Sequence, residues 1–161
     1  MVLYLAEKFQ AFLPSDVAGR TETLNWLFWQ MGSAPYVGGG FGHFYAYAPA
    51  KFEYAIDRFA METKRQLDVL ERRLATNEYL VGEHYTIADI AIYPWTRRWD
   101  KQGMDLKDYP NFKRWFEMVG ARPAVQRGVE VLTTLRKPEM DPKEKEQLFG
   151  ATQYQRRKQV K

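Results

Sequence analysis

Apolar residues recur at spacings of three and four along most of this chain, which predicts an all-α protein. The spacing predicts helices over residues 2–12, 21–34, 49–75, 87–99, 110–119 and 123–132. Pro14 and Pro35 stop the first two, because proline cannot continue a helix from its interior. Four glycines among residues 38–42 predict an irregular loop between the second and third helices. A short strand in this segment is the weaker alternative.

Residues 86–89 carry the clearest local signal, because Thr86 and Asp89 have the spacing of a capping box. We expect Thr86 to cap the amide of Asp89 and Asp89 to accept from the amide of Thr86. Tyr85 and Ile90 take the staple positions around this cap. The helix that follows is apolar around most of its girth, so we interpret it as the buried, central helix.

Composition narrows the classes of protein further. The 161 residues are 45% hydrophobic, suit one globular domain and include no apolar run of membrane-spanning length. Cysteine is absent, which excludes disulfides and thiolate sites and suits a reducing compartment. The net charge of +4 lies wholly in residues 133–161, and a neutral body argues against nucleic acid as the main partner.

Two features indicate an incomplete binding cleft. Residues 26–59 hold eleven aromatic side chains, more than a core of that size needs. The first helix has an apolar face but no earlier segment to pack against. Both features favour an all-helical domain with an aromatic cleft that faces a missing neighbour.

Several stretches resemble the C-terminal domain of cytosolic glutathione transferases. They are the capping-box helix at 85–95, the closing run at 109–125 and the opening run at 3–9. Within the family, residues 20–29, 38–44 and 54–59 are similar to the bacterial nu class, which is associated with glutathione-dependent disulfide reduction. The resemblance covers residues 1 to about 132 and implies the family's all-α bundle.

The resemblance implies three parts of the chain. Residues 1–13 match the last helix of a thioredoxin-like domain, and residues 14–132 match the C-terminal helical domain. Residues 133–161 form a basic, extended or frayed tail, with one turn of helix near 143–149. In the family, the thiol-activating groups belong to the thioredoxin-like domain. We therefore expect no catalytic residue here and negligible transferase activity from this chain alone.

The implied function is that of the substrate-binding half of a glutathione transferase. In complete form it would use glutathione as co-substrate for thiol transfer to, or reduction of, a small apolar or disulfide substrate. The resemblance also implies a cytoplasmic homodimer joined through the second and third helices, without metal or membrane. The alternatives are a non-catalytic interaction module, as in translation factors, which the basic tail favours slightly, and a degenerate gene piece.

Arg58 is the first candidate binding residue, because an arginine at the matching position contacts glutathione in nu-class proteins. A guanidinium binds carboxylates in a two-pronged geometry, and glutathione has two carboxylates. The competing interpretation is an intrahelical pair with Glu62, four residues along.

The other candidates lie near the end of the second helix and around the glycine-rich segment. Aromatic walls with one polar group are typical of small-molecule sites. We predict glutathione contacts from Gln30 and Met31, and a substrate wall formed by Trp29, Phe44, Tyr47 and Tyr54. The two histidines, His43 and His84, have no metal-site spacing, and Thr86 and Asp89 are expected to be structural.

Overall fold

The computed structural model describes residues 1–97, 99, 104–135 and 140–150. The seven α-helices in these residues are α1 (Val2–Phe9), α2 (Val17–Pro35), α3 (Glu53–Leu74), α4 (Ile87–Thr96), α5 (Pro110–Gly120), α6 (Pro123–Glu130) and α7 (Pro142–Phe149). Short 3-10 turns span Leu106–Asp108 and Thr133–Leu135. In the part of the chain described, β structure is limited to two isolated bridges at 79–84. The predicted all-α fold is confirmed.

Local caps explain where two helices differ from the sequence prediction. The second helix begins at Val17 rather than near Thr21, because the Asp16 carboxylate accepts a 2.8 Å hydrogen bond from the Gly19 amide. The first helix ends at Phe9, where Gln10 adopts the left-handed conformation that closes many helices. The connection between the two helices therefore runs from Gln10 to Asp16, and α2 gains a full turn over the prediction.

The glycine-rich segment is helical, which corrects the prediction of an irregular loop. Residues Tyr36–Tyr47 continue directly from α2 as a wide, π-type helix, here called the π segment. The prediction that the second helix stops before Pro35 is therefore wrong, because Pro35 lies within α2. Its glycines permit close packing: a Cβ on Gly38 would lie 2.7 Å from the Trp95 ring, and one on Gly40 would lie 2.5 Å from the Phe59 ring. Residues with a side chain at these two positions could not approach α3 and α4 this closely.

Asp89 joins three parts of the molecule at the start of α4. The predicted capping box is present, with the Asp89 carboxylate 2.9 Å from the Thr86 amide. The same carboxylate also accepts from the Leu80 amide at 3.1 Å and from the Trp115 indole at 2.8 Å. Burial raises the pKa of Asp89 above its ordinary value, while these donors act in the opposite direction. The cap is thus also a cross-link between α4, α5 and the loop before α4.

The core lies between α3, α4 and α5. Its largest fully buried side chains are Trp115, Phe112, Leu70, Leu74, Leu80, Ile87 and Val119. The α5 N-terminus is capped from α3, since the Glu71 carboxylate accepts from the Asn111 and Phe112 amides at 3.1 and 2.8 Å. These contacts join α5 to α3, and the hydrogen bond from the Trp115 indole to Asp89 joins α5 to α4, so α5 connects the two helices.

The chain divides into two compact units, residues 1–125 and 126–161. In the second unit, α7 is capped by Asp141 and spans eight residues, so helix is present where one turn was predicted near 143–149, and it is longer than that turn. Three consecutive basic residues of the predicted tail, Arg156, Arg157 and Lys158, lie outside the described residues. Among the described helices, none combines the length and apolarity needed to cross a bilayer. The assignment of 1–13, 14–132 and 133–161 as separate parts stays a prediction.

Candidate functional site

A small cavity of about 30 Å3 lies between the second half of α2, the middle of α3 and the end of α4. Space of this size holds about two water molecules. The described residues that line it are uncharged, and they are Trp29, Gln30, Ser33, Ala34, Val37, Thr63, Gln66, Leu67, Leu70, Ile92, Trp95, Thr96 and Trp99. A mostly apolar wall with a few polar groups is the usual composition of a small-molecule site.

Two of the predicted site residues, Trp29 and Gln30, line this cavity. The Gln30 side chain is only 8% exposed and makes no hydrogen bond with any described residue. Among the described residues, no fully enclosed side-chain nitrogen or oxygen lacks a partner, so the Gln30 amide reaches accessible space and is free to bind solvent or a ligand.

Trp95 and Trp99 also line the cavity, and sequence reasoning did not identify them as site residues. Trp95 lies in the last turn of α4 and Trp99 lies beyond its end. In the helix predicted over 87–99, their four-residue spacing places both on one face, and this was the available signal. Trp95 is 44% exposed, so it lies at the surface edge of the cavity. The close approach of Gly38 to its ring holds it there.

A second hollow lies at the start of α3, where Phe44 and Tyr54 line an open groove of about 440 Å3 with Phe52, Glu53 and Ala55. Phe44 stacks on Phe59, with centroids 5.6 Å apart and planes at 10°. Phe52 meets the edge of Phe44 at 6.2 Å. The predicted substrate wall is therefore divided: Trp29 belongs to the cavity, and Phe44 and Tyr54 belong to the groove.

Arg58 is exposed on α3 and forms no hydrogen bond or ion pair with any residue that the structure describes. The alternative pair with Glu62 does not form, because Arg65 takes both Glu62 oxygens at 2.6 and 2.9 Å. The Arg65 hydrogen bonds lower the pKa of Glu62 to about 2 against the opposing effect of burial, and Arg58 contributes a smaller electrostatic effect. The Arg58 guanidinium is therefore available to an anionic ligand.

The remaining candidates line neither hollow. Met31 is 64% exposed on α2, and Tyr47 is exposed at the end of the π segment. His43 is half-buried against Phe44, with ring centroids 5.3 Å apart, and His84 is exposed. Within the described residues, no group of three or more histidine, cysteine, aspartate or glutamate side chains could hold a metal ion.

The structure is an all-α bundle with an apolar cavity, and a buried capping box stands at the start of its central helix. Together these features indicate the class of protein to which the chain belongs. The glutathione S-transferase C-terminal domain family matches residues 24–123, and the chain belongs to that family. The predicted resemblance, including its type within the family, is confirmed.

Two curated relatives from Escherichia coli are similar to this chain over most of its length. The chain is 56% identical over 135 residues to the disulfide-bond oxidoreductase YghU of Escherichia coli strain K12, covering 80% of this chain and 47% of that protein. It is 45% identical over 124 residues to the disulfide-bond oxidoreductase YfcG of the same organism, covering 77% of this chain and 58% of YfcG. The chain thus spans about half the length of the curated relatives it matches.

A solved structure supports the same assignment. The glutathione transferase YghU from Streptococcus pneumoniae, determined in complex with glutathione, is 54% identical to this chain. The two superpose with a TM-score of 0.76, over 81% of this chain and 53% of that one. The shared fold therefore extends across most of the described helices.

Proposed function

We propose that this chain is the helical, substrate-binding part of a protein that uses glutathione to reduce disulfides or to transfer a thiol. The similarity that carries this proposal is the 54% identity to a structure determined with glutathione. The names of the two Escherichia coli relatives favour disulfides as the substrate class.

In this proposal, glutathione and the second substrate contact different parts of the chain. Arg58 binds a glutathione carboxylate, since it is exposed, charged and unpaired among the described residues. The apolar cavity beside Trp29 and the groove beside Phe44 and Tyr54 form walls for the second substrate. Contacts of Gln30 and Met31 with glutathione, and of Tyr47 with substrate, stay predictions.

The thiol chemistry requires a thiolate that attacks a disulfide sulfur, with the second sulfur leaving as a thiolate. The sequence contains no cysteine, so that thiolate belongs to glutathione in this proposal. The contribution of this chain is binding and orientation: it holds the carboxylate end of glutathione and presents an apolar surface to the other reactant.

A second copy of the chain is the proposed partner, and the cytoplasm is the proposed compartment. Phe28 and Met31 on α2 and Met61 on α3 are large apolar side chains that are mostly exposed, which supports an interface through these two helices. The absence of cysteine suits a reducing compartment.

Titration with glutathione, followed by NMR, tests the role of Arg58. We expect millimolar binding to residues 1–161 that perturbs the Arg58 side chain, and we expect Arg58→Gln to weaken it about tenfold, as for loss of one charge-assisted hydrogen bond. Arg72→Gln is the matched control, because Arg72 is exposed on the same helix. Equal affinity in the parent and Arg58→Gln would rule out this role for Arg58.

A further inference from the structure

The cavity between α2, α3 and α4 contains two polar side chains that lack partners. Gln30 and Ser33 are each 8% exposed and line the cavity, and their side chains make no hydrogen bond with any described residue. They are three residues apart on α2 and therefore share a face. Across the cavity on α3, the Thr63 hydroxyl already donates to the Phe59 carbonyl at 3.0 Å, and Gln66 donates to Glu62 at 3.1 Å.

The free polar atoms of Gln30 and Ser33 reach open space. Among the described residues, no side-chain nitrogen or oxygen is both fully enclosed and unpartnered. Both residues line the cavity, so a group bound there would lie within reach of their side chains. An amide and a hydroxyl can each donate and accept, so together they suit a group that also does both.

The lining determines which charge state the cavity accepts. Among the described residues that line it there is no aspartate, glutamate, lysine, arginine or histidine, and three indole rings contribute to its walls. An ionised group would lose its hydration there without gaining a counter-charge. The cavity therefore suits an uncharged group and rejects a carboxylate or an ammonium.

We propose that this cavity is a specificity pocket for an uncharged hydrogen-bonding group, such as a carboxamide, on an apolar body. Gln30 and Ser33 bind the polar group, and the apolar body lies against the half-exposed Trp95. That the occupant is the second substrate rests on the proposed function, whereas the preference for a neutral group does not. The pocket separates neutral from anionic reactants, and the glutathione carboxylates stay outside it.

Four ligands of matched shape test this preference: benzamide, benzoate, benzamidinium and toluene. Binding to residues 1–161 is measured by tryptophan fluorescence and by NMR. We expect benzamide to bind at least tenfold more tightly than benzoate or benzamidinium. The substitution Gln30→Met keeps the length of the side chain. It should weaken benzamide binding about fivefold to tenfold and leave the affinity for toluene unchanged.

Two further variants separate binding from folding. Ser33→Ala removes the other polar partner and should weaken benzamide binding several-fold. Gln126→Met, at an exposed position on α6, should leave the affinity for all four ligands unchanged. Equal binding of benzamide and benzoate, no binding of any of the four ligands, or unchanged benzamide affinity in folded Gln30→Met would overturn the proposal. The glutathione titration with Arg58→Gln is independent, so failure of the proposed function leaves this result unaffected.

Discussion

Replacing Asp89 by asparagine should destabilise the protein more than any exposed carboxylate substitution. One carboxylate oxygen accepts from the Leu80 amide and the Trp115 indole, and the other accepts from the amide and hydroxyl of Thr86. Asparagine keeps one oxygen and turns an NH2 group toward two of these donors. Asp89 is fully buried, so water cannot replace the lost acceptor.

The magnitude follows from this count. Two buried donors lose their acceptor, at about 1–3 kcal/mol each, while removal of a buried charge offsets part of the loss. We expect the free energy of unfolding to fall by about 2–4 kcal/mol. Urea unfolding followed by circular dichroism measures this, with an unchanged m value as the check that the unfolding transition is the same.

The pH dependence gives the prediction a second readout. Burial raises the native pKa of Asp89 above its ordinary value of 3.8. At pH values between 3.8 and the native pKa, folding is therefore accompanied by the uptake of a proton. Native stability from this group therefore falls as pH rises through that interval. Asparagine does not titrate, so the stability gap between the parent and Asp89→Asn should narrow as pH rises.

Asp105→Asn is the matched control for Asp89→Asn. Asp105 is exposed and caps the Lys107 amide at 2.9 Å, and asparagine caps about equally well, so the change should be below about 0.5 kcal/mol. An Asp89→Asn variant within 0.5 kcal/mol of the parent would refute the reasoning, because it would mean that the four donors do not depend on the carboxylate.

Two further substitutions test other parts of the fold. Gly40→Ala should lower the stability measured by thermal unfolding by about 1–3 kcal/mol, because its Cβ would meet the Phe59 ring at 2.5 Å. Gly39→Ala is the control, since open space surrounds Gly39, and it should be neutral or stabilising. Equal effects of the two substitutions would contradict the packing argument. Glu62→Gln should remove about 0.5 kcal/mol of stability above pH 4.5. Pairing with Arg65 lowers the native pKa of Glu62 to about 2, so the parent should lose this contribution as pH falls from 4.5 toward 2. Urea titrations at pH 6 and pH 3 should show the Glu62→Gln deficit shrink, and a constant deficit would contradict the pairing.

Local chemistry made the start of α4 predictable, and tertiary packing determined what could not be predicted. The Thr86–Asp89 box is a four-residue signal and is present as expected. The bond from Asp89 to Trp115 joins residues 26 positions apart, and no local pattern contains that information. The same holds for Glu71, which caps a helix 40 positions away.

The candidate site shows the same division between local and long-range information. Trp29 and Gln30 were predicted from aromatic density and do line a cavity, but the opposite wall at Trp95 and Trp99 was missed. Apolar residues on a central helix predict burial, and periodicity cannot distinguish a core position from a cavity wall. Arg58 was identified through family resemblance, whereas the loss of its alternative partner Glu62 to Arg65 required the structure.

The π segment explains why the two hollows occur together. Gly38 packs on Trp95 at the edge of the cavity, and Gly40 packs on Phe59, the ring on which Phe44 stacks beside the groove. Both contacts depend on backbone without a side chain, and they are only two residues apart. A wide helical turn carries these glycines and Phe44 together, so a shift of this segment would change the cavity and the groove at once. Glycine density in this sequence is therefore a signal of close helix packing around a site, although in sequence it has the composition of a loop.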